Sequence, residues 1–413
     1  MSEVSYGFEA KYLPEKGRDG IALCLSGGGY RAALFHLGAL RRLNELGVLS
    51  KVDTIASVSG GSIMAAKIAT HLVRNPGSWG ERGDEVGGFE DGIAGPMRAL
   101  TRKDVRTRAV LERLKPWRWL DQNAQVDVLA AELEAEGARG TLAQLAARPR
   151  FVFCATDVTF RSQWVFDSGD GRVGGDQAGY GVAIEPWPIA RAAAASSCFP
   201  VAFSPMRVRF APAELTDGAY AGADRAQLIP KLDLSDGGLY DNLGLEPVWR
   251  NHAVVLVSDA APAFRPDPHV GRLWSQLRYA VTLLEQATDV RKRWLIASFL
   301  EHVLEGTYWG IASKPENYPY TPGVQPYSAQ LIREVVSQVR IDLDVFSDAE
   351  RAVLETHGYL IEEIAVKAHA PQLVARDAPL RLPYGEEWMN EERVRRELGE
   401  SHKTKLFSRK GLL

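Results

Sequence analysis

Apolar residues change spacing several times along the first third of the chain. The run IALCL, inside Gly20 to Ser26, predicts a short buried strand that Gly27, Gly28 and Gly29 end. From Tyr30 onward Leu34, Leu37, Leu40, Leu43 and Leu46 recur at helical intervals until Gly47 stops them. VDTIASV then predicts a second strand and SIMAAKIATHLV a second helix. Strand–helix alternation of this length implies a mostly parallel central sheet flanked by helices, an α/β fold. From Asn75 to Gly95 the chain is rich in glycine and acidic residues, which predicts a loop excursion.

Helical spacing returns over Asp104–Leu114 and Gln125–Glu136. RFVFCATDV and QWVFDS predict paired strands, KLDLS a strand entering a glycine turn, and NHAVVLVSDA another buried strand. Beyond these the chain becomes mainly helical. Leu273, Leu277, Val281 and Leu284 share a helix face that Leu295, Phe299 and Val303 continue, and Ser347 and Glu350 have capping-box spacing. The expected organisation is an α/β catalytic core over 18–260 with a loop and helical excursion at 75–125. A helical part over 261–400 packs on that core, and a mobile basic tail follows over 401–413.

Composition narrows the function classes. A net charge of −3 provides no basic field for a nucleic-acid polymer. The first twenty residues lack the basic and apolar regions of a secretory signal, and no window has the ~20 apolar residues of a membrane span. Cys24, Cys154 and Cys198 are widely spaced in apolar runs, which predicts reduced core cysteines and no metal pattern. The expectation is an intracellular, cytoplasmic protein without a metal or cofactor.

Three short motifs carry the candidate chemistry. Ser57-Val58-Ser59-Gly60-Gly61 joins a strand to a helix, which fits either a helix-capping serine or a nucleophile on a tight elbow. Ser26-Gly27-Gly28-Gly29-Tyr30-Arg31-Ala32 also joins a strand to a helix. A phosphate-binding P-loop would need Lys followed by Ser or Thr, where Tyr30 and Arg31 stand. A dinucleotide fingerprint fits Gly27, Gly29 and Ala32, but its acidic partner belongs at the end of the second strand, and Asp53 begins it. An oxyanion loop beside Ser59 uses both strand ends. Asp236-Gly237-Gly238 places a carboxylate at a strand end on an open turn, as a general base or an Asx-turn. Asp217-Gly218 is the rival copy, in a stretch that reads as loop.

The later histidines do not complete a triad. His252 begins a strand, His302, His357 and His369 fall in helical patterns, and His402 is in the tail. His269 lies on a loop that no strand end marks. The pattern favours a serine–aspartate dyad.

Together, in this order, the three motifs resemble the patatin-like phospholipases and the related group IV cytosolic phospholipases, over about residues 18–248. The resemblance implies an oxyanion hole from GGGYR (Gly27, Gly28, Gly29) with Gly60, a nucleophile at Ser59 and a base at Asp236. ARAAAASSCFPVAFSP is similar to the family's Ala/Ser-rich segment, with Pro200, Phe203 and Pro205. Ser57 and Ala32 depart from the usual glycines. The implied activity is hydrolysis of phospholipid or lysophospholipid acyl esters through an acyl-enzyme, with Arg31 holding the glycine loop or meeting a phosphate head group. Its alternative is an outward-facing residue in the first helical turn. Trp117, Trp119 and Arg291-Lys292-Arg293-Trp294 are candidates for peripheral membrane contact, and the glycine-rich excursion for a lid. The rival reading is a conditionally active effector or lipid-binding module switched by a nucleotide messenger.

Overall fold

A computed structural model gives the structure of residues 17–113, 115–118, 121–182, 186–200, 203–261, 273–320, 322–399 and 401. His269, Trp119 and His402 lie outside these residues, as does the expected tail beyond 401.

The strands are β1 (Ile21–Leu25), β2 (Thr54–Val58), β3 (Arg150–Asp157), β4 (Ser162–Asp167), β5 (Arg172–Gly175), β6 (Gly179–Val182), β7 (Met206–Val208), β8 (Leu232–Asp236), β9 (Val254–Asp259) and β10 (Glu305–Gly310). The helices are α1 (Gly29–Glu45), α2 (Gly60–Arg74), α3 (Gly95–Leu100), α4 (Val105–Arg113), α5 (Ala124–Ala135), α6 (Ile189–Ser196), α7 (Arg225–Leu228), α8 (Gly238–Asp241), α9 (Leu273–Leu300), α10 (Ala329–Glu334), α11 (Asp348–His369) and α12 (Glu391–Leu398).

One sheet orders its strands β10-β9-β1-β2-β3-β4-β5-β6, with β8 pairing β3 and β7. From β10 to β3 every pairing is parallel. β4 and β8 both run antiparallel to β3. Period-two alternation sends Ile21, Leu23 and Leu25 to a core under α1, α2, α6 and α11, and Ala22 and Cys24 to a smaller one closed by Leu243, Leu245 and Leu295. All three cysteines are free and buried.

The C-terminal part joins the core in two ways. β10 adds an edge strand to the central sheet beside β9, so the sheet extends beyond the expected 18–260 core, and α11 crosses α1 closely. A Cβ added at Gly38 of α1 would sit 1.9 Å from the Glu355 carbonyl oxygen, and one at Gly358 of α11 2.0 Å from that of Phe35. Around this contact Arg42 of α1 pairs with the buried Glu363 at 2.8 Å, and Arg98 of α3 grips Glu355. Ser347 and Glu350 form the expected capping box at the start of α11.

The glycine-rich excursion is not placed as a lid over Ser59. Ser50 donates to the Asp84 carbonyl, the Asn44 side chain brackets Val86, and Arg82 meets Lys51 and Asp53. These partners precede β2, so the excursion covers the opposite end of that strand.

Candidate active site

Strand register brings the two chemical motifs together. β4 occupies one edge of β3 along Val152–Asp157, so β2 and β8 share the other edge. β2 ends where Val58 pairs with Cys154, and β8 arrives from the opposite direction with Asp236 paired to Ala155. Ser59 and Asp236 are therefore the ends of two strands that meet head to head. Asp217 is exposed and bonded to Thr216, away from any such junction.

Ser59 does not cap α2. Its side chain makes no capping hydrogen bond, and its backbone adopts φ 50° and ψ −118°, a left-handed conformation that costs a non-glycine residue energy. The surroundings hold that turn. The Ser59 amide donates to Ser196 Oγ at 2.9 Å, and Ser196 donates its own proton to the Cys154 carbonyl at 2.5 Å. Ser62 Oγ lies 2.8 Å from Ser196 Oγ and 3.0 Å from Ser57 Oγ, so the serine at the departed glycine position is absorbed into a hydroxyl chain.

The same Ala/Ser-rich segment fixes the carboxylate turn. The Ser196 carbonyl accepts from Gly237 N at 3.1 Å and the Cys198 carbonyl from Asp236 N at 3.2 Å, while Thr156 Oγ1 donates to the Asp236 carbonyl at 2.8 Å. Asp236 is 2% exposed. Its Oδ1 accepts Gly238 N at 2.8 Å, and its Oδ2 has no partner in the resting arrangement. Burial raises its pKa to about 6, with the neighbouring Ser59 side chain and the hydrogen bond from the Gly238 amide pulling the other way. No bond of ordinary geometry closes between Ser59 and Asp236, but the hydroxyl acts on the carboxylate from close by. An ordinary carboxylate pKa near 4 is not retained here, because the residue is desolvated.

The glycine loop divides its work. Gly27 N donates to the Asn242 carbonyl at 3.2 Å, so this amide is not free for an oxyanion, contrary to the sequence expectation. Gly27 is needed for space: a Cβ there would lie 3.1 Å from Ser59 Cβ. Gly28, at φ 139°, turns the chain into α1, and no hydrogen bond among the described residues uses its N–H. Gly29 and Gly60 open α1 and α2, where N–H groups lack intrahelical partners. The two turns touch, since a Cβ at Gly60 would meet Gly29 O at 2.1 Å.

Of the two roles expected of Arg31, its position is that of a strut at the glycine loop and not of a head-group ligand. It is 2% exposed and donates to the carbonyls of Val339 at 3.0 Å and Ala260 at 2.6 Å, so it neither faces outward nor reaches a head group. The Asp342 carbonyl accepts Tyr30 N at 2.9 Å, so the segment ahead of α11 buttresses the glycine loop.

Sequence reasoning passed over Ser196 and His36. His36 Nε2 lies 2.9 Å from the Ser26 carbonyl, which can only accept, so Nδ1 accepts from Ser258 Oγ at 2.7 Å. Burial lowers its pKa to about 4 and keeps it neutral. Ser196 could have been found in the Ala/Ser run, where hydroxyls interrupt alanines. Among the described residues no histidine is bonded to Ser59 or Asp236, and no group of three or more His, Cys, Asp or Glu is placed to hold a metal ion. A cavity of about 950 Å³, bordered by Asn123, Trp187, Arg191, Arg207 and Phe210, includes neither Ser59 nor Asp236.

Fold and site together define an α/β protein with a strained serine elbow facing a buried carboxylate. Residues 23–249 match the family model of patatin-like phospholipases, more than half of the chain, and the chain belongs to that family. No curated protein sequence matches it. Among solved structures it is similar to human GIVD cytosolic phospholipase A2, at 15% identity and a TM-score of 0.46, over 92% of this chain and 60% of that one. Another structure of the same human enzyme aligns at 15% identity and a TM-score of 0.39, over 61% of this chain and 50% of that one. VipD from Legionella pneumophila aligns at 15% identity and a TM-score of 0.35, over 87% of this chain and 67% of that chain. The chain thus spans half to two thirds of these structures.

Proposed function

We propose that the protein is a serine acyl-ester hydrolase that releases fatty acid from phospholipids or lysophospholipids through a Ser59–Asp236 dyad. The observation that carries this reading is the head-to-head meeting of β2 and β8, which sets a strained serine beside a buried carboxylate with an open oxygen.

Asp236 Oδ2 takes the proton of Ser59 as Oγ attacks the acyl carbonyl, and the alcohol leaves with that proton. The amides of Gly28, Gly29 and Gly60 donate to the oxyanion, aided by the positive ends of α1 and α2. Water then releases the acyl group with Asp236 again as base. A raised pKa suits a base working near neutrality, because proton affinity rises while the group stays mostly ionised.

Access to lipid falls to α9. No helix of the described residues is long and apolar enough to cross a membrane. α9 exposes Val290, Trp294, Ile296 and Leu300, and Trp117 is exposed on the surface of the excursion. These exposed apolar side chains support peripheral contact with a bilayer. Arg291 and Lys292 do not join them. They turn inward to the buried Asp241 and Asp259 at 3.9 Å and 3.6 Å, which ties α9 to the end of α8 and to the end of β9.

The test is a fluorophosphonate probe with mass-spectrometric mapping, alongside a phospholipid and lysophospholipid panel. An adduct on Ser59 and released fatty acid are expected. Absence of both overturns the reading.

A further inference from the structure

One polar side chain at the site has no work in the resting protein. Asn242 follows α8, and among the described residues no hydrogen bond uses its carboxamide. Its Oδ1 is wedged between the two glycine motifs: a Cβ added at Gly27 would fall 2.3 Å from it, and one at Gly238 would fall 2.6 Å from it. The same two positions touch the chemistry, at 3.1 Å from Ser59 Cβ and 3.0 Å from Asp236 Oδ1. Asn242 is half-buried and its carboxamide is not sealed from solvent, so it can hold a water.

Asn242 Oδ1 and Asp236 Oδ2, neither hydrogen-bonded among the described residues, are both acceptors. A molecule between them must donate twice. Water does so, whereas an alcohol has a single O–H. We propose that Asn242 is a further catalytic residue that, with Asp236, holds the water that deacylates Ser59 and favours water over alcohols as acyl acceptor. This rests on the hydrolase reading above.

In the step, one water O–H points to Asn242 Oδ1 and the other to Asp236 Oδ2. The water oxygen forms a bond to the acyl carbon as its proton passes to Asp236. The intermediate collapses by breaking the bond from the acyl carbon to Ser59 Oγ, Asp236 returns the proton to Oγ, and the carboxylic acid departs. Atoms and charge balance without another reactant.

The experiment uses the full chain, wild type and Asn242→Ala, with a p-nitrophenyl acyl ester and with a fluorophosphonate. The fluorophosphonate reports attack by Ser59 and should label both proteins at similar rates. Asn242→Ala should slow deacylation roughly tenfold, the worth of one hydrogen bond, so a burst of p-nitrophenol precedes a slow steady state. With glycerol present, the ratio of glyceryl ester to free acid should rise in the variant. Asn242→Ser, which keeps a short acceptor, should fall between the two and serves if the alanine variant does not fold. Equal labelling with unchanged deacylation and product ratio overturns the role of Asn242 while leaving the hydrolase intact. A wild type that neither labels nor turns over overturns both.

Discussion

The Ser59 amide donates to the Ser196 hydroxyl oxygen at 2.9 Å, and the carbonyl of Ser196 accepts the amide of Gly237 at 3.1 Å. The residue at the end of α6 thus holds the serine turn with its side chain and the carboxylate turn with its backbone. Ser196→Ala removes only the first hold. The stranded amide should cost about 1–3 kcal/mol, read as a lower midpoint in chemical denaturation. The elbow should also loosen, so fluorophosphonate labelling of Ser59 slows severalfold. Unchanged labelling would mean that the elbow does not depend on this bond.

The left-handed backbone at Ser59 makes a second contrast measurable. Ser59→Ala and Ser59→Gly should both abolish ester hydrolysis, as should Asp236→Asn. Their stabilities should differ, since glycine adopts φ 50° without the Cβ penalty that serine and alanine bear. Ser59→Gly should be more stable than Ser59→Ala by about 1 kcal/mol. Calorimetry decides it, and equal melting temperatures would remove the case for strain.

The raised pKa of Asp236 makes opposite demands on activity and stability. As a base it must be ionised, so kcat/KM should rise with unit slope as pH increases towards about 6 and level off above. For stability, the folded protein binds this proton more tightly than the unfolded chain, whose value is near 3.8. Stability from this group therefore falls as pH rises between about 4 and 6, and the cost stays constant above. Asp236→Asn should be the more stable protein at pH 8, by an amount on the order of 2–3 kcal/mol, and should lose that advantage below pH 4. Denaturation midpoints at the two pH values test the sign.

Much of the site was legible in the sequence, because it lies where local signals are strong. The apolar runs before Ser26 and Ser59 define strand ends, and Asp236 follows a run that becomes β8. The head-to-head meeting was not legible, since it depends on β8 taking the free length of the β3 edge, a pairing nearly eighty residues apart in sequence. β7 was missed because three alternating residues are too short to stand out, and β10 because its mixed sequence shows neither alternation nor a continuous apolar run. For Arg31, the choice between its readings was not legible for a related reason. Its partners are carbonyls of Val339 and Ala260, and backbone acceptors leave no mark in residue identity.

The crossing of α1 and α11 ties the helical C-terminal part to the chemistry. α1 begins at the glycine loop, whose Arg31 and Tyr30 bond to carbonyls just ahead of α11. Gly358 permits the approach, because a Cβ there would lie 2.0 Å from a backbone oxygen that cannot turn aside as a flexible side chain would. Gly358→Ala must therefore part the two helices, at a cost of about 1–3 kcal/mol or more. The parting moves the carbonyl supports away from the oxyanion loop, so turnover should fall while the chemistry of Ser59 and Asp236 is untouched. Gly323→Ala is the control, since a Cβ at Gly323 has no neighbour within 4 Å. Labelling rates and melting temperatures of the two variants side by side check the coupling. A Gly358→Ala protein that melts earlier yet labels at the wild-type rate would show that α11 supports the fold without supporting the site.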